Sequence, residues 1–234
     1  MPGRTTSLIL LAAVLAGVPA TAQETGRSEL EESLGRPRRV PPVPAELRRL
    51  FRDITRDRLV IRDLNGGDVA IDITEYEPDE FQQFADGRFV GFAFMGYEFY
   101  GYQLIDRAMA GDAAVIETGA TPVFSPDGRH FAAVQLSGAG FGNLEGVAIW
   151  RVEADRTRQI LFSGILPEGE EWRVEGWPRP NCVAISYAVR DSEGRTDSQP
   201  RRHLAIGLGT PIRLSLRGDQ PGCNGEPSGE DDDG

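Results

Sequence analysis

A chain of 234 residues with 36 acidic and 25 basic side chains carries a formal net charge of −11, which argues against nonspecific binding to nucleic acid or to an anionic membrane. Every basic residue is arginine, so a Schiff-base lysine and a Walker phosphate loop are excluded. Two cysteines and two histidines are sparse material for a metal centre, and no metal or cofactor is expected.

The N-terminus has the order of a secretory signal peptide. Arg4 supplies a positive charge, Leu8 to Val18 an apolar run, and Ala20-Thr21-Ala22 a small-residue cleavage site, which predicts removal of residues 1–22. The apolar run is about half of the roughly 20 residues that span a bilayer. No transmembrane segment is therefore expected, and the mature chain should be periplasmic or secreted. Residues 23–43 are polar and then proline-rich, with Pro37, Pro41 and Pro42. They read as a disordered linker.

A domain is expected over 44–218. It opens with a predicted amphipathic helix, because Leu47, Leu50, Phe51 and Ile54 stand at i, i+3, i+4 and i+7 after Pro44. Arg48, Arg49, Arg52 and Arg56 fill its other face. Either the apolar stripe covers the core, or the helix docks on an anionic surface.

From residue 58 the pattern turns to short apolar runs and period two, separated by Asn-Gly, Asp-Gly and Pro signals. Strands are predicted at Leu59–Ile61 and Val69–Ile73, joined by a hairpin at Asn65-Gly66-Gly67. Further strands follow at 89–95, 100–105, 113–117, 130–136, 147–152, 159–162, 183–189, 203–208 and 212–216. Phe89 to Phe94 is apolar at both parities, the mark of a strand covered on two sides.

The chain also repeats itself. Phe84-Ala85-Asp86-Gly87-Arg88-Phe89 returns as Phe124-Ser125-Pro126-Asp127-Gly128-Arg129-His130-Phe131, with the Asp-Gly-Arg triplets 41 residues apart. That period is the size of one propeller blade. Trp177-Pro178-Arg179-Pro180-Asn181 takes the turn's place in a degenerate third copy, and the 59–73 hairpin reads as the remnant of a leading one. The predicted fold is all-β: blade-like antiparallel sheets in a small or incomplete propeller, with one short N-terminal helix.

Val123-Phe124-Ser125-Pro126-Asp127-Gly128-Arg129-His130-Phe131-Ala132 resembles the core of the WD40-like repeats of TolB-type periplasmic β-propellers. The resemblance implies that Asp127-Gly128, and more weakly Asp86-Gly87, turn the chain between the first two strands of a blade. It implies no partner and no activity.

Cys182 and Cys223 are expected to pair, given export to an oxidising compartment. Closing a loop of about 40 residues would stabilise by up to roughly 4 kcal/mol. The tail, 219–234, is acidic with no large apolar residue and is expected to be disordered.

No nucleophile stands out: there is no G-x-S-x-G elbow, and His130 and His203 both begin strands. Gly138-Ala139-Gly140-Phe141-Gly142 has the glycine density of a phosphate loop, but no helix follows it. Two acidic clusters, Glu75, Glu77, Asp79 and Glu80, then Glu168, Glu170 and Glu171, read as solvated loops. Phe141, Trp172 and Trp177 are the candidates for a binding surface. The expectation is a non-enzymatic interaction module that takes a protein or peptide of the cell envelope. The alternatives are a small secreted hydrolase with paired carboxylates, and a structural protein without a ligand.

Overall fold

The computed structural model describes residues 39–189 and 201–209 with their side chains, and the backbone of 213–217. The compact unit runs from Val40 onward. It consists of four antiparallel sheets, each made of strands that neighbour one another in the order of the chain. The first contains β1 (Phe51–Ile54), β2 (Arg58–Arg62) and β3 (Asp68–Asp72). The second contains β4 (Tyr76–Phe84), β5 (Phe89–Gly96), β6 (Tyr100–Asp106) and β7 (Val115–Glu117). The third contains β8 (Val123–Phe124), β9 (His130–Gln135), β10 (Gly146–Val152) and β11 (Thr157–Ser163). The fourth contains β12 (Glu170–Arg179), β13 (Cys182–Ala188), β14 (Arg202–Gly207) and β15 (Arg213–Arg217).

Alternation along the strands explains how the sheets stack. In β5, Val90, Phe92 and Phe94 pack with Leu59, Ile61, Val69 and Ile71 of the first sheet. Phe89, of opposite parity, packs instead with Phe131, Ala133, Ala148 and Trp150 of the third. The other parity of the third sheet, Ala132, Val134, Val147 and Ile149, meets Val183, Ile185, Leu204 and Ile206 of the fourth. Central strands are therefore apolar throughout because each face has a sheet against it, and each fully buried side chain of this size contributes about 1.5–3 kcal/mol. The first sheet carries polar residues on its other face, where Arg52 pairs with Asp68.

One hydrogen bond recurs at the same place in all four sheets. The residue that ends or directly follows the third strand donates its N–H to the turn before the second. These bonds run from Ile73 to Asp57 (3.0 Å), Arg107 to Arg88 (2.9 Å), Val152 to Arg129 (2.9 Å) and Leu208 to Asn181 (2.7 Å). The first sheet is thus a complete three-stranded unit, larger than the hairpin remnant read from the sequence. The two glycines of the repeat turns sit at positive φ, +91° for Gly87 and +66° for Gly128, a conformation that costs other residues roughly 1–2 kcal/mol. At the second copy Ser125 binds the Asp127 carboxylate at 2.7 Å and accepts the His130 N–H at 2.9 Å, which closes the turn.

Two expectations are corrected. The 47–54 helix is only a single 3-10 turn at Arg48–Leu50, after which the chain enters β1. Helix propensity is a weak preference, and pairing of Phe51 with Ile61 and Ile54 with Leu59 overrides it. The apolar stripe is still buried, as Leu47, Leu50, Phe51 and also Val43 belong to the core. Val43 is the last residue of the segment read as linker. The acidic clusters are loops only in part: Glu75 and Glu168 lie outside strands, but Glu77, Asp79 and Glu80 lie in β4, and Glu170 and Glu171 in β12.

Candidate functional site

The junction of the second and third sheets is fixed by a buried ion pair. Asp106, at the end of β6, is fully buried and accepts from Arg88 Nε at 2.9 Å and Nη2 at 2.8 Å. Thr157 of β11 donates its hydroxyl to the same carboxylate at 2.7 Å, and Arg88 Nη1 reaches the Glu153 carbonyl at 2.6 Å. The bidentate pair thereby ties the end of β6 to the start of β11 in the next sheet.

Between those outer strands lies an open cleft of about 720 Å³, within the range of small-molecule sites. One wall comes from the second sheet. Gly111 enters a 3-10 turn at φ +59° that presents Asp112, and Glu117 ends β7 opposite Gln103. The other wall is β11, with Thr157, Gln159 and Phe162, and Trp150 of β10 stands behind it. Trp150 is locked by stacking on Phe131, with ring centroids 5.0 Å apart and planes 18° apart.

The rim is the glycine-rich loop between β9 and β10, and its own carboxylate organises it. Glu145 accepts the N–H of Ser137 and of Gly142, each at 3.1 Å, and Gln135 accepts that of Leu144 at 2.9 Å. Tyr100 at the start of β6 anchors the loop by donating to Phe141 O at 3.0 Å and accepting from Asn143 N at 3.2 Å. Amid these satisfied groups, the Asn143 side-chain amide is buried, and neither its oxygen nor its nitrogen has a hydrogen-bond partner. Leaving such a group unpaired costs about 1–3 kcal/mol. Asn143 lines the cleft and lies against Gly101, where a β-carbon would come within 2.1 Å of its oxygen.

The residues singled out in the sequence fall elsewhere. Asp86, Gly87, Asp127 and Gly128 form inter-strand turns, and the Ser125 hydroxyl holds the Asp127 carboxyl below its ordinary range. Phe141 is exposed on the loop that carries Asn143. Trp172 stacks on Tyr187 at 4.3 Å and donates to Gly169 O. Trp177 is no surface residue: it is buried between the third and fourth sheets and donates to Val123 O at 2.8 Å. Trp172 packs against the same core cluster as Trp177, while Phe141 is not part of it. Cys182 is buried at the start of β13, while Cys223, its expected partner, lies outside the described residues.

A second polar cluster, on the fourth sheet, is structural. Burial works to raise the Glu175 carboxyl, but hydrogen bonds from Ser186 and Arg173 and the charge of Arg201 more than offset it and bring it below the ordinary value. Arg201 also binds Ser186 at 2.8 Å and Glu171 at 3.1 Å, so each member is occupied by another. Among the described residues no group of three or more His, Cys, Asp or Glu side chains could hold a metal ion, and no helix is long and apolar enough to cross a membrane.

The sequence reading missed Asp112, Glu117, Asn143 and Gln159. Their separation along the chain hides the cleft; only the strand-to-strand repeat could have aligned β7 with β11.

No protein-family model matches the chain, and neither does any curated protein sequence. Two solved structures are similar to it. One, from Bacteroides fragilis, carries the name of a 6-phosphogluconolactonase, with 10% identity, a TM-score of 0.35, and coverage of 70% of this chain and 52% of that one. The other is the periplasmic gluconolactonase of Pseudomonas aeruginosa, with 16% identity, a TM-score of 0.31, and coverage of 69% and 50%. The chain spans about half the length of each. The specific likeness to the TolB-type repeat is not confirmed; what stands is a set of antiparallel, propeller-type sheets. The non-enzymatic interaction module expected from the sequence finds no support in these comparisons, since both similar structures bear the names of lactonases.

Proposed function

We propose that the chain is a hydrolase whose substrate sits in the cleft between the second and third sheets, with Asp112 and Glu117 as the working carboxylates. One observation carries this reading: both acids line a single cleft of about 720 Å³ together with an unpaired amide and an aromatic wall. A cyclic ester is the simplest substrate for such a set. One carboxylate takes a proton from water as the water oxygen bonds to the carbonyl carbon. The ring C–O bond then breaks, and the same proton passes to the departing oxygen, leaving a hydroxy acid. The other carboxylate accepts hydrogen bonds from the substrate.

The test is hydrolysis of glucono-1,5-lactone followed by pH-stat, with the spontaneous rate subtracted. Of Glu117→Gln and Asp112→Asn, the one that removes the base should cut kcat/KM at least 100-fold through kcat, and the other should mainly raise KM. Wild-type turnover no faster than the spontaneous reaction would reject the reading. We also infer export to the periplasm or beyond, supported by the Arg4, Leu8–Val18 and Ala20-Thr21-Ala22 pattern. Cleavage after Ala22 is checked by N-terminal sequencing. The division into leader 1–22, linker, β domain to 218 and acidic tail 219–234 is part of the same proposal.

A further inference from the structure

The charge of the cleft selects among substrates. Asp112 and Glu117 are its charged lining residues, and no arginine or histidine lines it. The nearest strand cations are turned to other work: Arg158, beside Thr157, is paired with Glu153 at 2.9 Å. An anion entering here would meet two like charges and no counter-charge, in a site partly walled from water by Trp150.

The amide of Asn143 supplies the complementary preference. It offers both a donor and an acceptor, the combination that matches a hydroxyl or an ester and matches a phosphate poorly. Its loop is pinned on both sides by the Glu145 and Tyr100 hydrogen bonds, whereas this buried side chain is unpartnered. Gly101 leaves the space in which the amide rests. Rotation about the side-chain torsions carries it from that shelter into the adjoining cleft, where a ligand gives both atoms partners. Phe162, half exposed, and Trp150 provide apolar surface for the C–H faces of a ring.

We propose that the cleft takes a neutral, hydroxyl-bearing ring and rejects its phosphorylated counterpart, and that Asn143 is the side chain that recognises it. This rests on the cleft being the substrate site proposed above, and it is tested by binding alone. The probe is D-glucono-1,5-lactam, a neutral ring that resists hydrolysis, titrated calorimetrically into the full chain beside its 6-phosphate.

The lactam should bind at least tenfold more tightly than the 6-phosphate, and Asp112→Asn with Glu117→Gln should erase that difference. Asn143→Ala should weaken lactam binding about tenfold, with a thermal midpoint no lower than wild type because an unpaired buried amide is removed. Asn143→Gln, which keeps the chemistry but shifts its reach, should fall between. No lactam binding, equal affinity for both probes, or an Asn143→Ala affinity matching wild type would overturn the inference. Lactam binding with these dependences but no lactone turnover would uphold it while rejecting the hydrolase reading.

Discussion

Arg88 holds Asp106 with two hydrogen bonds of 2.9 and 2.8 Å, and the carboxylate it holds is wholly shielded from solvent. The pair joins the first Asp-Gly-Arg triplet to the end of β6, and Thr157 and the Glu153 carbonyl extend it into the next sheet. Among the described residues the second triplet has no such pair: Arg129 is exposed, and Glu153 binds Arg156 and Arg158 instead. Identical triplets thus do different work, because only the first has a buried carboxylate opposite it.

Removing one partner of a buried pair leaves the other uncompensated, at a cost of about 3–5 kcal/mol. Arg88→Gln should lower stability by at least 3 kcal/mol in urea unfolding, whereas Arg129→Gln should stay within about 0.5 kcal/mol. Equal effects of the two would show that the clamp does not hold the sheets.

The glycines separate backbone strain from packing. No atom lies within 4 Å of a β-carbon at Gly128, so Gly128→Ala meets only the positive φ of +66°, worth roughly 1–2 kcal/mol. At Gly91 the added carbon would lie 2.5 Å from the Tyr102 ring, and Gly91→Ala should destabilise by about 3 kcal/mol or more through overpacking. A Gly91 variant as stable as the Gly128 one would contradict the tight contact of β5 with β6.

His130 gives stability a pH dependence. Its ring sits against Trp177, with centroids 6.0 Å apart. Burial, helped by the charges of Arg151 and Arg129 and opposed by Asp127 and a hydrogen bond to the Pro180 backbone, pushes its pKa below the ordinary 6.5. The unfolded chain therefore binds the proton more tightly, so this contribution is complete above about pH 6.5 and shrinks as the pH falls below it. His130→Phe should flatten that part of the profile of urea midpoint against pH between 5 and 8. A variant profile parallel to wild type would rule out His130 as its source.

The proposed Cys182–Cys223 disulfide is tested by substitution and reduction together. Cys182→Ser and reductant should lower the thermal midpoint by the same amount, corresponding to at most roughly 4 kcal/mol. An unchanged midpoint in both would remove the bond from the account.

The central strands were legible because sheets on both sides make them apolar at every position, as in Phe89 to Phe94 or Val183 to Ile185. The first strand of each sheet was not. β1 imitates a helix in its spacing, β4 is charged and bulged between Asp79 and Gln82, β8 has two residues, and β12 has three irregularities of register. The candidate site was hidden for another reason. Asp112 and Glu117 stand in a short, polar edge segment, Asn143 in a loop and Gln159 on an exposed strand, and only the stacking of two sheets makes them neighbours.

The most direct measurement is a crystal structure with the lactam soaked in. The account places the ring between β7 and β11, with Asn143 turned onto it and Asp112 and Glu117 within hydrogen-bond reach. Ligand density at any other surface, with this cleft holding solvent alone, would contradict it.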